Sequence, residues 1–344
     1  MYLLLIVLIT FSGYILGMYE ENRTKIRRFL YFSFFCIGFL IAFRGSNVGA
    51  DTESYIRWFS NSQLYANASE FPLEKGNYFL FIVLGHISNN PQIIFVFEAI
   101  VVGVCYGYFI YKNVDSILEA YIAVLSYLSF QLFAFNLTGY RQSIAMCICA
   151  IAYKFIEEKK PVKFLLTVAF ASLFHSSAWF LIAAYGISLV GNRLGKIIAA
   201  IFTVFALRNF NTIFALTAMI DNRYEKYGIE ETGNGFIFWS VILVVLIFVE
   251  LGKKKYECSY QMSKLININY FCFGLWCLRL FTRVAERPAM YFLPSTMMLT
   301  SYIPKMYAYV FDEKSYKLFK VTLCGLLIIL FLVRSSRIPY TFCW

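Results

Sequence analysis

Asn89-Asn90-Pro91-Gln92-Ile93-Ile94-Phe95-Val96-Phe97-Glu98-Ala99-Ile100-Val101-Val102-Gly103-Val104-Cys105-Tyr106-Gly107-Tyr108-Phe109-Ile110-Tyr111-Lys112 reads as a polar break followed by a nearly unbroken apolar run. A bilayer core of about 30 Å needs about 20 apolar helical residues to cross it. The run meets that length. The shorter apolar stretch before the break, from residue 76, predicts a short or re-entrant helix ahead of a full span. Comparable blocks recur along the chain near residues 1–18, 29–43, 117–136, 142–157, 162–190, 194–208, 235–251, 265–281, 289–304 and 317–333. The block at 162–190 is too long for one helix and breaks at His175-Ser176-Ser177, as two short helices meeting at a turn would. The expected architecture is all-α: a polytopic helical integral membrane protein of about 10–12 spans in a single domain, residues 1–344.

Composition agrees. Of 344 residues, 60% are hydrophobic and 15% charged, against about 25% charged in soluble domains. That balance excludes a water-soluble globule. The first 18 residues lack a basic leader and a small-residue cleavage site, so they are read as an uncleaved first helix. Nine cysteines without a CxxC pair, and only two histidines, offer no zinc or iron–sulfur pattern. No metal and no cofactor are expected. The net charge of +11 does not imply nucleic acid, because the basic residues lie between apolar blocks, where loop charge sets orientation in the bilayer.

The two kinds of basic residue are sorted. One alternating set of loops (23–28, 112, 154–163, 193–196, 253–264 and 305–320) carries 15 Lys and 4 Arg, and the other carries 2 Lys and 10 Arg. The lysine-rich set is expected on the cytoplasmic side. Arginine binds phosphate and carboxylate through a planar fork that lysine lacks. The arginine-rich outward set, with loops near 44–75, 137–142, 208–234 and 279–288, is therefore expected to hold an anion.

Five constellations stand out. Phe43-Arg44-Gly45-Ser46-Asn47-Val48-Gly49-Ala50-Asp51-Thr52-Glu53-Ser54-Tyr55 predicts an irregular loop, with Asp51 or Thr52 capping a short helix that carries Tyr55, Trp58 and Phe59. Its plain alternative is a helix cap beside a snorkelling Arg44. Thr138-Gly139-Tyr140-Arg141-Gln142 places one arginine at a helix end, where an interface anchor is the ordinary reading. His175 interrupts an apolar block as a general base, a phosphate ligand or a neutral side chain bonded to a carbonyl. Asp221 to Tyr227 holds Arg223 and Tyr224 on a solvated or substrate-facing loop. Arg279, Arg283 and Arg287, spaced by four, share one face over about 12 Å if they lie on one helix. Only Glu286 is near in sequence to neutralise them, and Pro288 favours a kink at the third.

In order, these motifs resemble EpsG-type, Wzy-like polysaccharide polymerases. Phe43-Arg44…Val48-Gly49-Ala50-Asp51-Thr52…Tyr55 is similar to the family's FR…VGTDT..Y signature, with Ala50 where threonine is common. Arg141-Gln142-Ser143-Ile144-Ala145, Phe174-His175-Ser176-Ser177, Arg223-Tyr224…Tyr227 and Arg287…Tyr291-Phe292 resemble its later motifs, over roughly residues 40–305. The resemblance implies a fold like the C-type membrane glycosyltransferases. It also implies an inverting, metal-independent polymerase on the periplasmic face of a bacterial inner membrane. Such an enzyme joins undecaprenyl-pyrophosphate-linked repeat units into O-antigen, capsule or exopolysaccharide, alongside a flippase and a chain-length regulator. Asp51 and His175 are the candidate catalytic residues, unranked. Arg44, Tyr55, Arg141, Arg223, Tyr224, Arg279, Arg283 and Arg287 are candidates for pyrophosphate or glycan. An O-antigen ligase, a flippase or transporter of lipid-linked sugars and a membrane acyltransferase are the competing readings.

Overall fold

A computed structural model of the chain describes residues 1–209, 212 and 235–344. Arg223 and Tyr224 lie outside the described residues. Among those described there are 16 α-helices, and strand-like pairing is confined to one antiparallel bridge, Arg44 with Phe342. The all-α expectation holds.

The chain divides into two compact units, Met1–Trp179 with Glu313–Trp344, and Phe180–Asp312. The first contains α1 (Tyr2–Leu16), α2 (Arg23–Ala42), α3 (Thr52–Asn61), α4 (Lys75–Ile87), α5 (Gln92–Asn113), α6 (Ile117–Ser129), α7 (Leu132–Thr138), α8 (Tyr140–Glu157) and α9 (Pro161–Ser172). The second contains α10 (Ile182–Ser188), α11 (Asn192–Arg208), α12 (Gly235–Gly252), α13 (Tyr260–Arg279), α14 (Glu286–Met290) and α15 (Leu293–Tyr307). The chain then returns to the first unit as α16 (Glu313–Ser335).

Local chemistry sets the helix ends. Asn22 accepts from the amides of Thr24 and Lys25 at the start of α2, and Ser116 and Ser259 cap α6 and α13 in the same way. The predicted break at Asn89-Asn90-Pro91 is present, with Asn90 accepting from the Gln92 amide to start α5. Among the described residues, α5, α12 and α16 are long and apolar enough to cross a membrane; α6 and α7, bent by 45°, make a fourth if taken together. Two local features keep other helices outside that set: α2 opens with Arg23, Lys25, Arg27 and Arg28, and α1 and α9 are only 15 and 12 residues long. Apolar faces turned outward on α1 (Leu3, Phe11), α9 (Leu166) and α16 (Leu318, Val321, Leu326) fit lipid, not water.

In the first unit, α2 and α5 run antiparallel and are tied at both ends. Gln92 donates to the carbonyls of Ala42 (2.5 Å) and Arg44 (3.2 Å). At the other end Arg23 donates to the carbonyls of Val114 (2.6 Å) and Tyr111 (3.0 Å). Helix α6 is buried on all sides, as a helix wrapped by others must be. Lys112 and Lys154 both lie over the Tyr108 ring at the Arg23 end. The loops at the Gln92 end carry Arg44 and Arg141.

Candidate active site

The loop after α2 is built around Gly49. Its φ is +82°, and an added Cβ would collide with the Leu137 carbonyl, so any side chain there meets both backbone strain and a steric clash. Thr52, buried, donates to the Val48 carbonyl at 2.5 Å. Asp51 occupies the cap position of α3 without a side-chain capping bond, and is exposed. The expected capping role therefore does not appear, and the carboxylate faces outward. The far end of the chain closes this loop: the Gly45 amide donates to Thr341 (2.8 Å), and the Cys343 amide donates to Phe43 (3.1 Å).

Arg44, expected on the anion-binding surface, is turned inward. It is fully buried, and its Nη2 meets Glu98 Oε2 at 3.0 Å, with the guanidinium 3.9 Å from the Phe95 ring centroid. Glu98 is fully buried as well and is held by Ser143 and Asn136; Asn136 also bonds Ser143 and Tyr127. The ion pair thus joins the end of α2 to α5, α7 and α8. Neither a snorkelling nor a surface role fits that burial.

Arg141 begins α8 and does face the site. Its Nη1 lies 2.5 Å from Glu74 Oε2, both side chains being largely buried, and it also bonds Tyr55. Burial pushes the Tyr55 hydroxyl above its ordinary pKa, while Arg141 pulls it down and nearby Asp51 pushes it up. The phenol is therefore protonated at neutral pH, and its oxygen accepts from the Arg141 guanidinium. Tyr55 packs against Tyr140 and Trp58, each at 5.3 Å between ring centroids.

Glu74 leads to the histidine. Three residues on, Asn77 donates to the Phe174 carbonyl at 2.8 Å, and the Gly76 amide donates to Leu173 at 2.9 Å. A Cβ on Gly76 would crowd that same carbonyl, so the approach needs glycine. The expected turn follows α9, and a 3₁₀ segment, Ser176–Leu181, comes next. His175 is buried; its Nδ1 lies 3.2 Å from the Ser177 amide and 2.8 Å from Ser177 Oγ. A backbone N–H can only donate, so Nδ1 accepts and the neutral ring carries its proton on Nε2. In that tautomer the Nδ1 lone pair is already used by Ser177 and is not available to a substrate hydroxyl. His86, by contrast, bonds the Ile82 carbonyl in its own last turn.

In the second unit, the arginines do not form a single-helix row. Arg279 is the last residue of α13 and is buried, its Nε 2.6 Å from Glu286 Oε2. Thr282 is extended, Arg283 opens a 3₁₀ turn, and Arg287 lies in α14. Pro288 sits in the first turn of α14, where its missing N–H costs nothing. Arg283 is exposed and Arg287 half-buried. The row is thus a folded turn, with Arg279 paired to Glu286 at its start.

The first unit brings together Arg141, Tyr55, Asp51 and the His175 turn, and adds Glu74 and Asn77, which the sequence reading missed. Glu74 stands among ordinary loop charges and has no motif of its own. Glu98 had a signal, as the one acidic residue in α5. Among the described residues no cluster of histidine, cysteine and acidic side chains is placed to hold a metal ion.

No curated protein and no solved structure matches the chain. The model of the EpsG family matches residues 27–342, a range that takes in the Arg44 loop, Glu74, Arg141, the His175 turn and the folded arginine turn. The chain belongs to the EpsG family.

Proposed function

We propose that this membrane protein polymerises undecaprenyl-pyrophosphate-linked oligosaccharide units into a surface polysaccharide on the outer side of a bacterial inner membrane, by an inverting reaction. Family membership supports a general role in polysaccharide polymerisation. The observation that carries the finer reading is the convergence of Arg141, Glu74, Tyr55 and the His175 turn, from four separate parts of the sequence, beside the exposed Asp51.

Roles follow from the geometry. Asp51 is the base that takes the proton of the acceptor hydroxyl; being uncapped and exposed, it is open to a sugar. The acceptor oxygen attacks the anomeric carbon of the donor glycan from the face opposite its pyrophosphate. That C–O bond breaks, and the lipid pyrophosphate leaves with the electron pair. Arg141, fixed by Glu74 and Tyr55, is a preorganised donor for phosphate oxygens, and a fixed donor stabilises developing charge without reorganising; the His175 turn packs beside it through Asn77 and Gly76. Arg44 acts from inside, by holding the loop that carries Asp51.

The test is surface-glycan laddering in a strain lacking the protein, complemented with wild type or Asp51→Asn at matched protein level. Single repeat units in the deletion, a ladder with wild type and none with Asp51→Asn support the reading. Polymer that forms but is not attached to its lipid core indicates a ligase, and lipid-linked units retained on the cytoplasmic side indicate a flippase; either result overturns the proposal.

A further inference from the structure

The second unit contains a groove of about 530 Å³ between α11, α12 and α13, lined by Ala200, Thr203, Val204, Leu243, Ile247 and Phe273 among others. Its volume is that of a ligand site, and its walls are apolar. Val204 and Ile247, exposed at 65% and 47%, make the mouth of the groove apolar as well.

One end is charged. Lys196 and Glu250 line the groove with Nζ and Oε2 2.5 Å apart. Lys253 meets the same carboxylate at 3.2 Å, and Lys196 lies 5.1 Å from the Tyr270 ring centroid. Two lysines around one carboxylate leave a net positive charge at the rim. Arg193 in the first turn of α11, and Lys254 and Lys255 just past α12, add to it. The start of α11 also presents free amides and the positive end of its dipole. Apolar walls with a basic rim between membrane helices match an anionic lipid head and tail.

We infer that this groove binds an anionic glycerophospholipid, with one acyl chain along α11 and the phosphate at Lys196 and Lys253. Length favours this occupant over a polyprenyl chain. From Lys196 to Val204 the groove follows α11 for about 12 Å, close to the 15 Å or so of one leaflet's hydrocarbon. The site involves none of the residues assigned to glycan transfer, so it stands or falls separately from that reaction.

The test is native mass spectrometry of the delipidated full-length protein, titrated with phosphatidylglycerol, phosphatidylcholine or a polyprenyl monophosphate. One saturable phosphatidylglycerol should bind, and Lys196→Gln/Lys253→Gln should weaken it by roughly tenfold or more. Ala200→Trp, on an exposed lining position, should block the groove without disturbing the ion pairs, and so tests the site even if the lysine variant misfolds. Equal binding of phosphatidylcholine, binding unchanged in Ala200→Trp, or displacement by the polyprenyl phosphate at lower concentration would each overturn the inference.

Discussion

The guanidinium of Arg141 and the carboxylate of Glu74 sit 2.5 Å apart, although 67 positions separate them in the chain. The pair joins the start of α4 to the start of α8 and leaves the arginine locked in one orientation. A largely buried carboxylate that loses its charge leaves an uncompensated cation. Glu74→Gln should lower stability by about 3 kcal/mol and shorten or abolish the glycan ladder. The Glu74→Gln/Arg141→Gln double variant should lose less stability than the two single losses added together. Thermal melts of the purified variants check this; strict additivity would show that the two groups do not act as a pair.

The Arg44–Glu98 pair makes a sharper prediction, because both side chains are completely buried. Arg44→Met or Glu98→Leu alone should cost about 3–5 kcal/mol, whereas the double variant should recover most of it. Melting temperatures in one detergent measure this. A double variant as unstable as the worse single would contradict the internal ion pair.

Gly49→Ala places a methyl group against the Leu137 carbonyl in left-handed backbone. The expected loss is about 1–3 kcal/mol, read by thermal melting, with reduced polymer because the neighbouring Asp51 moves. Gly186→Ala, where the added carbon meets nothing within 4 Å, is the control and should leave both readings near wild type.

His175 separates two chemistries. If its Nε2–H is the working group, His175→Gln, whose amide donates in a similar place, retains more polymer than His175→Ala at equal protein level. Equal and complete loss in both would favour a proton-accepting imidazole instead. Asp51→Asn should fall by roughly 10²–10⁴ in turnover with little change in melting temperature, since Asp51 is exposed and caps nothing.

Much of this fold can be read from the sequence because apolar runs and their breaks are local signals. Asn89-Asn90-Pro91 ends one helix and starts another by its own side-chain bonding, and the turn at His175 interrupts a run too long for one helix. Glycine at 45 and 49 and threonine at 52 predict an irregular loop before a short helix, and that loop is present. Partnership between distant residues carries no such mark. Arg44 looks identical in sequence whether it faces lipid phosphate or Glu98, and only the packing of α2 on α5 decides. Glu74 becomes visible only when α4 and α8 meet. The spacing of Arg279, Arg283 and Arg287 is helical on paper, but extended Thr282 breaks it.

The tail from Tyr340 to Trp344 lies on the loop from Phe43 to Asn47, nearly 300 positions earlier. Tyr340 donates to the Leu40 carbonyl, Thr341 bonds Asn47, and Phe342 stacks on Trp344. Contacts of that sequence separation close slowly and form after local ones. The segment bearing Asp51, although made early, thus reaches its final shape only when α16 has docked and delivered the tail. The placement of Asp51 thus depends on the last residues of the chain as well as on its own loop.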